Sequence, residues 1–244
     1  MSWYERSALL LGEDGMQRLA AAKVAVFGLG GVGSYAAEAL ARSGVGSLVL
    51  VDDDVVAESN LNRQLVALHS TIGRPKTEVA AARIADIAPD CRVQAVRLFY
   101  TPETADQLDL SDCDYVIDAI DTVSGKLEIL SRAQAAGVPA ISCMGTGNKL
   151  HPEKLCVTTL DKTEGCPLAR VMRRECRARG IGPVKVVYST EPPIRHAGTS
   201  APQTGADSRP GQPKKSTPGS MSFVPGCAGL MLAAEVVRAI AGAP

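Results

Sequence analysis

Apolar and polar positions alternate in blocks along the first 150 residues. Five short runs rich in Val, Ile and Leu, at 23–28, 47–52, 92–97, 114–119 and 138–143, have the length and composition of buried strands. Between them, residues 33–43, 76–88 and 124–136 read as helices. This order predicts an α/β fold with a doubly wound, mainly parallel Rossmann-like sheet. Beyond residue 150 the pattern is less regular. Residues 155–160 and 184–188 read as strands flanking a helix at 167–179. Residues 224–240 read as a buried C-terminal helix, because Pro225, Gly226, Glu235 and Arg238 interrupt it as a membrane span. Residues 197–221 are mostly Gly, Pro, Ser, Thr and other small or polar types, and are expected to form a mobile loop.

Chemistry enters at Gly28-Leu29-Gly30-Gly31-Val32-Gly33-Ser34, which lies between the first strand and the first helix of the alternation. Glycines there let backbone approach a ligand, and the first N–H groups of the helix face its negative charge. With Asp52 at the tip of the second strand, positioned for a ribose hydroxyl, the motif predicts a nucleotide site. It suits an NAD enzyme as well as an ATP enzyme. The following residues favour ATP. Asp52-Asp53-Asp54 gathers three acids, and strand alternation turns Asp52 and Asp54 the same way, so both could hold ribose. Asn60-Leu61-Asn62-Arg63-Gln64 and Gly73-Arg74-Pro75-Lys76 then add Arg63 and Lys76, a planar fork and a point charge suited to a triphosphate.

Formal charge is zero overall but unevenly placed. Residues 1–150 carry 13 Lys and Arg against 19 Asp and Glu; residues 151–244 carry 13 against 7. A basic second half suits a polyanion, although solvated surface charge accounts for such an imbalance about as well. Its centre is the 167–179 helix, where Arg170, Arg173, Arg174 and Arg177 recur at i, i+3, i+4 spacing and could follow phosphates. The seven cysteines form no C-x-x-C pair, which fits reduced thiols in the cytoplasm and gives no zinc signature. His69, His151 and His196 lack neighbours at metal-ligand spacing.

The motifs GLGGVGS, VDDD, NLNRQ, GRPK and VIDAIDT, in this order from about Arg6 to Gly147, resemble the ThiF/MoeB/HesA superfamily of adenylating enzymes. The resemblance implies that ATP is bound by the glycine turn (Gly28, Gly30, Gly31, Gly33), by Asp52 with Asp54 at the ribose, and by Asn60, Asn62, Arg63, Gln64 and Lys76. It also implies catalytic roles for Arg63, Lys76 and Asp121, with Asp121 organising Mg²⁺, and a homodimer in which Arg6 reaches the partner's ATP. In the second half, Ser142–Lys149, Asp161-Lys162-Thr163, Pro167-Leu168-Ala169, Ser189-Thr190-Glu191-Pro192-Pro193 and Phe223-Val224-Pro225 resemble the tRNA threonylcarbamoyladenosine dehydratase branch. That branch cyclises a threonylcarbamoyl modification by adenylating its carboxylate. The likeness implies one domain, with a nucleotide core at 1–150 and an extension at 151–244 whose Lys162, Arg170, Arg173, Arg174 and Arg177 hold tRNA. It leaves open a monovalent cation and a sulfur-transfer partner. Cys166 stands where this branch usually has Asp. The competing reading, activation of a ubiquitin-like sulfur carrier, is disfavoured by the missing C-x-x-C pairs.

Overall fold

A computed structural model describes residues 3–194 and 218–243. Seven strands form one sheet in the order β3-β2-β1-β4-β5-β7-β6. They are β1 (Lys23–Phe27), β2 (Ser47–Val51), β3 (Arg92–Val96), β4 (Tyr115–Asp118), β5 (Ala140–Cys143), β6 (Leu155–Thr159) and β7 (Lys185–Ser189). Neighbours are parallel except β6 and β7, whose register runs from Leu155 opposite Ser189 to Thr159 opposite Lys185. Each strand expected from the sequence is present within two residues of its predicted bounds.

The helices are α1 (Glu5–Ala21), α2 (Gly33–Arg42), α3 (Lys76–Ile87), α4 (Val123–Ala135), α5 (Pro167–Ala178) and α6 (Phe223–Ala241). Alternate residues of β1 show how both sheet faces are covered. Val24 and Val26 pack with Leu19 of α1, Leu40 of α2, Ile84 of α3 and Leu232 of α6. Ala25 and Phe27 pack on the other face with Ile129 and Ala133 of α4. Farther along, Leu127 of α4 and Met172 of α5 cover Val186 of β7. Helix α6 buries Val224, Ala228, Leu232, Ala233 and Val236, in agreement with the expected core helix. Helix α1 was not foreseen; Gly12, at φ 69°, breaks its regular path and blurs the helical pattern. Most of the loop expected at 197–221 lies outside the described residues.

In this strand order the chain leaves β1 toward β2, whereas β4 lies on the opposite side of β1. That reversal opens a crevice at the carboxyl ends of β1 and β4, the usual ligand position in an open α/β sheet.

Candidate nucleotide site

The glycine turn is shaped by close backbone approach. Gly28 ends β1 at φ 86°, and its N–H donates to the carbonyl of Val51 at the tip of β2 (2.8 Å). A Cβ on Gly33 would lie 1.7 Å from the Gly28 carbonyl oxygen, so only glycine can start α2 here. No side chain caps that helix, which leaves its N-terminal field directed at the turn. Ser34 Oγ donates to Gly30 O (2.6 Å) and accepts from Leu65 N (3.2 Å), which joins the turn to the NLNRQ segment.

The acidic tip of β2 is wired into the same turn. Asp52 Oδ2 accepts from Leu29 N (2.6 Å), and its Oδ1 accepts from Asp54 N (2.9 Å). Burial pushes the Asp52 carboxyl up, against the opposing pull of the Lys76 ammonium and these two N–H donors. Asp54 is engaged differently from Asp52: its Oδ2 pairs with Lys76 Nζ at 2.9 Å. Lys76 is the first residue of α3, with its side chain 5 % exposed against 51 % for Asp54. The two acids expected at the ribose therefore sit in different surroundings.

The NLNRQ segment lies against the glycines through Arg63. A Cβ on Gly31 would sit 3.3 Å from Arg63 Cγ. The guanidinium Nη1 donates to Ser59 O (2.8 Å) and to Asn62 Oδ1 (3.0 Å). Asn60 is buried, and its Oδ1 accepts from Ala57 N (3.1 Å), so it braces its own loop. Asn62 is exposed and donates to Ser220 O (3.0 Å), just before α6. Gln64 is buried beside Gly30, with its Oε1 unpaired. Arg63, Gln64, Asp52 and the glycines are therefore one contiguous cluster, and Lys76 joins it through Asp54.

Two further residues expected at the site are exposed. Asp121 is exposed three residues beyond β4. Arg6 is exposed in the first turn of α1. Sequence reasoning missed Asp118 and Lys126, a fully buried ion pair at 3.0 Å beneath the tip of β4. It also missed Glu191, whose carboxylate accepts from Leu150 N (3.1 Å) and His151 N (3.0 Å) and whose backbone carbonyl accepts from buried Lys149. Burial pushes the Glu191 carboxyl up, but the His151 and Leu150 N–H groups outweigh it and hold the group below its ordinary value.

The arginine row of α5 divides. Arg173 is half-buried and donates to both the carbonyl and the hydroxyl of Thr163, so it ties the preceding turn to the helix. Arg174 pairs with Glu175 (2.8 Å). Arg170 and Arg177 are exposed, as is Lys162 in the turn before the helix. The four arginines that spacing places on one face therefore differ in their surroundings: two are exposed cations, one is in a surface pair and one is tied to Thr163. Cys166 is buried at the N-terminal cap of α5. Cys143, also buried, is pushed up to about 12 by burial, far from a thiolate.

A phosphate-shaped glycine turn, a strand-tip carboxylate and two nearby cations define a nucleotide-binding α/β protein. The ThiF family model matches residues 4–244, and the chain belongs to that family. It is 44 % identical over 235 residues to the tRNA threonylcarbamoyladenosine dehydratase of Bacillus subtilis, covering 96 % of this chain and 92 % of that one. The Escherichia coli enzyme of the same name is 40 % identical over 201 residues, 78 % of this chain and 75 % of that one. The crystal structure of the Escherichia coli dehydratase with ATP superposes with a TM-score of 0.84, at 34 % identity, covering 98 % of this chain and 93 % of that one.

Proposed function

We propose that this chain is an ATP-dependent tRNA threonylcarbamoyladenosine dehydratase. The carrying observation is the junction of Arg63, Asp52 and the glycine turn in one cluster, with Lys76 held beside it through Asp54. The substrate's threonyl carboxylate attacks the α-phosphorus of ATP, the bond to pyrophosphate breaks, and an acyl-adenylate forms. The ureido group of the same substrate then attacks the activated carbonyl and expels AMP, closing the ring with formal loss of water. Because nucleophile and carbonyl share one molecule, no enzyme nucleophile is needed; the protein supplies position and charge.

In this reading the glycine turn and the uncapped start of α2 receive the phosphates, and Asp52 receives the ribose. Arg63 and Lys76 exchange their present oxygen partners for phosphate oxygens and stabilise charge on the departing pyrophosphate. Asp121, an exposed carboxylate at the crevice, has the hard oxygen donors that would hold a Mg²⁺ accompanying ATP. Such an ion would neutralise phosphate charge. Lys162, Arg170 and Arg177 would guide tRNA toward the crevice. A cytoplasmic homodimer completes the proposal. Similarity to two bacterial dehydratases, over 96 % and 78 % of this chain, together with the lack of C-x-x-C pairs, favours tRNA over a sulfur-carrier protein as acceptor.

The test is to incubate the protein with ATP and tRNA carrying threonylcarbamoyladenosine, then analyse the nucleosides under mild conditions. The expected product is lighter than its precursor by one water and appears with AMP. No cyclised nucleoside, together with adenylation of a Gly-Gly-ended carrier, would overturn the reading.

A further inference from the structure

The pair formed by Asp118 and Lys126 is the most deeply buried charge in the nucleotide half, with both side chains at 0 % exposure. Its hydrogen bonding is complete. Lys126 Nζ, with three donors, reaches Asp118 Oδ2 (3.0 Å), the Cys143 carbonyl (2.8 Å) and Ser142 Oγ (3.4 Å). Ser142 Oγ donates to Asp118 Oδ2, and Asp118 Oδ1 accepts from Ile120 N (3.3 Å). A buried ion pair is a poor device for stability alone, since its desolvation cost commonly matches its attraction. What this one does is geometric. It fastens the first turn of α4 to the carboxyl ends of β4 and β5, which are paired through Asp118 opposite Ser142.

Both strand ends lead into the crevice. From β4 the chain passes through Ala119 and Ile120 to Asp121. Ala119 N donates to Phe27 O (2.8 Å), and a Cβ on Gly28 would meet Ala119 O at 2.9 Å, so this segment lies directly on the glycine turn. From β5 the chain passes through Met144, whose N–H donates to Val187 O (2.8 Å), to Asn148, which exchanges hydrogen bonds with Gly219. We infer that Lys126 is a positioning residue for adenylate formation: through Asp118 and the Cys143 carbonyl it sets where the Asp121 segment and the 144–148 turn stand relative to the glycine turn. This rests on the proposed role of Asp121 at the phosphates.

Of the groups proposed to anchor ATP, Asp52, Arg63 and Lys76 hydrogen-bond to other partners, and the glycine turn meets this network only through the backbone of Ala119 and the Ile120 segment. Disturbing it should therefore lower kcat and spare the KM for ATP. The test is ATP–pyrophosphate exchange with modified tRNA present, on a chain carrying Asp118→Asn and Lys126→Met together, which removes both buried charges and nearly conserves volume. We expect a folded protein, a KM for ATP within about twofold of wild type, and kcat lower by about 10–100-fold, the scale of a reacting group displaced by roughly 1 Å. Ser142→Ala should lower kcat by a few-fold with unchanged KM and little change in Tm. Wild-type kcat in the folded double variant overturns the inference. If the double variant does not fold, Ser142→Ala decides, and wild-type kcat there overturns it. Asp121→Asn measured alongside separates the two claims. Full exchange in that variant sinks the role of Asp121 itself, whereas loss there with wild-type kcat in the network variants sinks only the positioning role.

Discussion

Lys76 and Arg170 carry the same formal charge in opposite settings. At the nucleotide edge, Lys76 is 5 % exposed, pairs with Asp54, and starts the helix that Pro75 and Val55 bridge to the strand tip. Arg63, packed on the glycine turn, already donates to two oxygens. On α5, Arg170 and Arg177 stand in solvent, on a helix whose buried side is only Ala169, Met172 and Cys176. The first arrangement holds its cations on fixed oxygen partners before a ligand arrives, so they need little reorganisation to meet developing charge. The second offers charge that salt screens within about 8 Å and that acts mainly by attracting a polyanion. In the proposed function, the first region serves the reaction and the second the encounter with tRNA.

The sharpest way to break this contrast is to remove the preorganised cations. Lys76→Ala or Arg63→Ala should lower ATP–pyrophosphate exchange by about 10²–10³-fold, the usual consequence of deleting one donor to a developing anion. Exchange at the wild-type rate in both variants would assign the nucleotide chemistry elsewhere. Charge reversal on the encounter face should do something different. Arg170→Glu with Arg177→Glu should weaken tRNA binding and flatten its salt dependence by about one logarithmic unit per lost phosphate contact, while ATP binding is unchanged. Arg173→Ala is the internal control within the same helix. Its contacts are to Thr163, so we expect a Tm lower by roughly 3–6 °C, from about 1.5–2 kcal/mol of lost charge-assisted hydrogen bonding, with the salt slope intact. A flattened slope in Arg173→Ala with unchanged Tm would return that residue to the phosphate-facing set.

That control arises where spacing in the sequence stops being informative. The strands, α2 through α6 and the glycine turn were legible because hydrophobic period and glycine chemistry are local properties. Arg173 shares a helical face with Arg170 by spacing, but spacing does not reveal that Thr163, ten residues earlier, folds back to meet it. Asn60 has the composition of a phosphate ligand, yet its amide oxygen is used three residues away by Ala57 N. Asp118 and Lys126 are eight residues apart on a strand and a helix, a pairing that only the packing of α4 on the sheet creates. The sequence motif marked Asp121, the exposed acid, while passing over the buried acid beneath it.

The smallest expected effects compare two carboxylates whose surroundings shift them in opposite directions. Asp52, at the nucleotide edge, is raised by burial in spite of Lys76. Glu191, at the end of β7, is lowered because the N–H groups of His151 and Leu150 outweigh its burial. For Asp52 the folded state holds its proton more tightly than the unfolded chain. Its stabilising contribution is present below the ordinary carboxylate pKa of about 3.9 and is lost as pH rises through the folded value. For Glu191 the unfolded chain binds the proton more tightly. Its contribution is present above about 4.3 and is lost as pH falls through the folded value. Thermal melts of Asp52→Asn and Glu191→Gln against wild type, each without nucleotide at pH 7 and near pH 4, should therefore diverge. The Tm difference, variant minus wild type, should become more favourable on going to pH 7 for Asp52→Asn and less favourable for Glu191→Gln. With ATP added at pH 7, Asp52→Asn should also show a smaller rise in Tm than wild type, because in the proposed function Asp52 holds the ribose. Parallel pH slopes for the two variants would mean that the strand-tip acid is held no differently from a structural carboxylate, and the contrast between the two regions would lose its electrostatic basis.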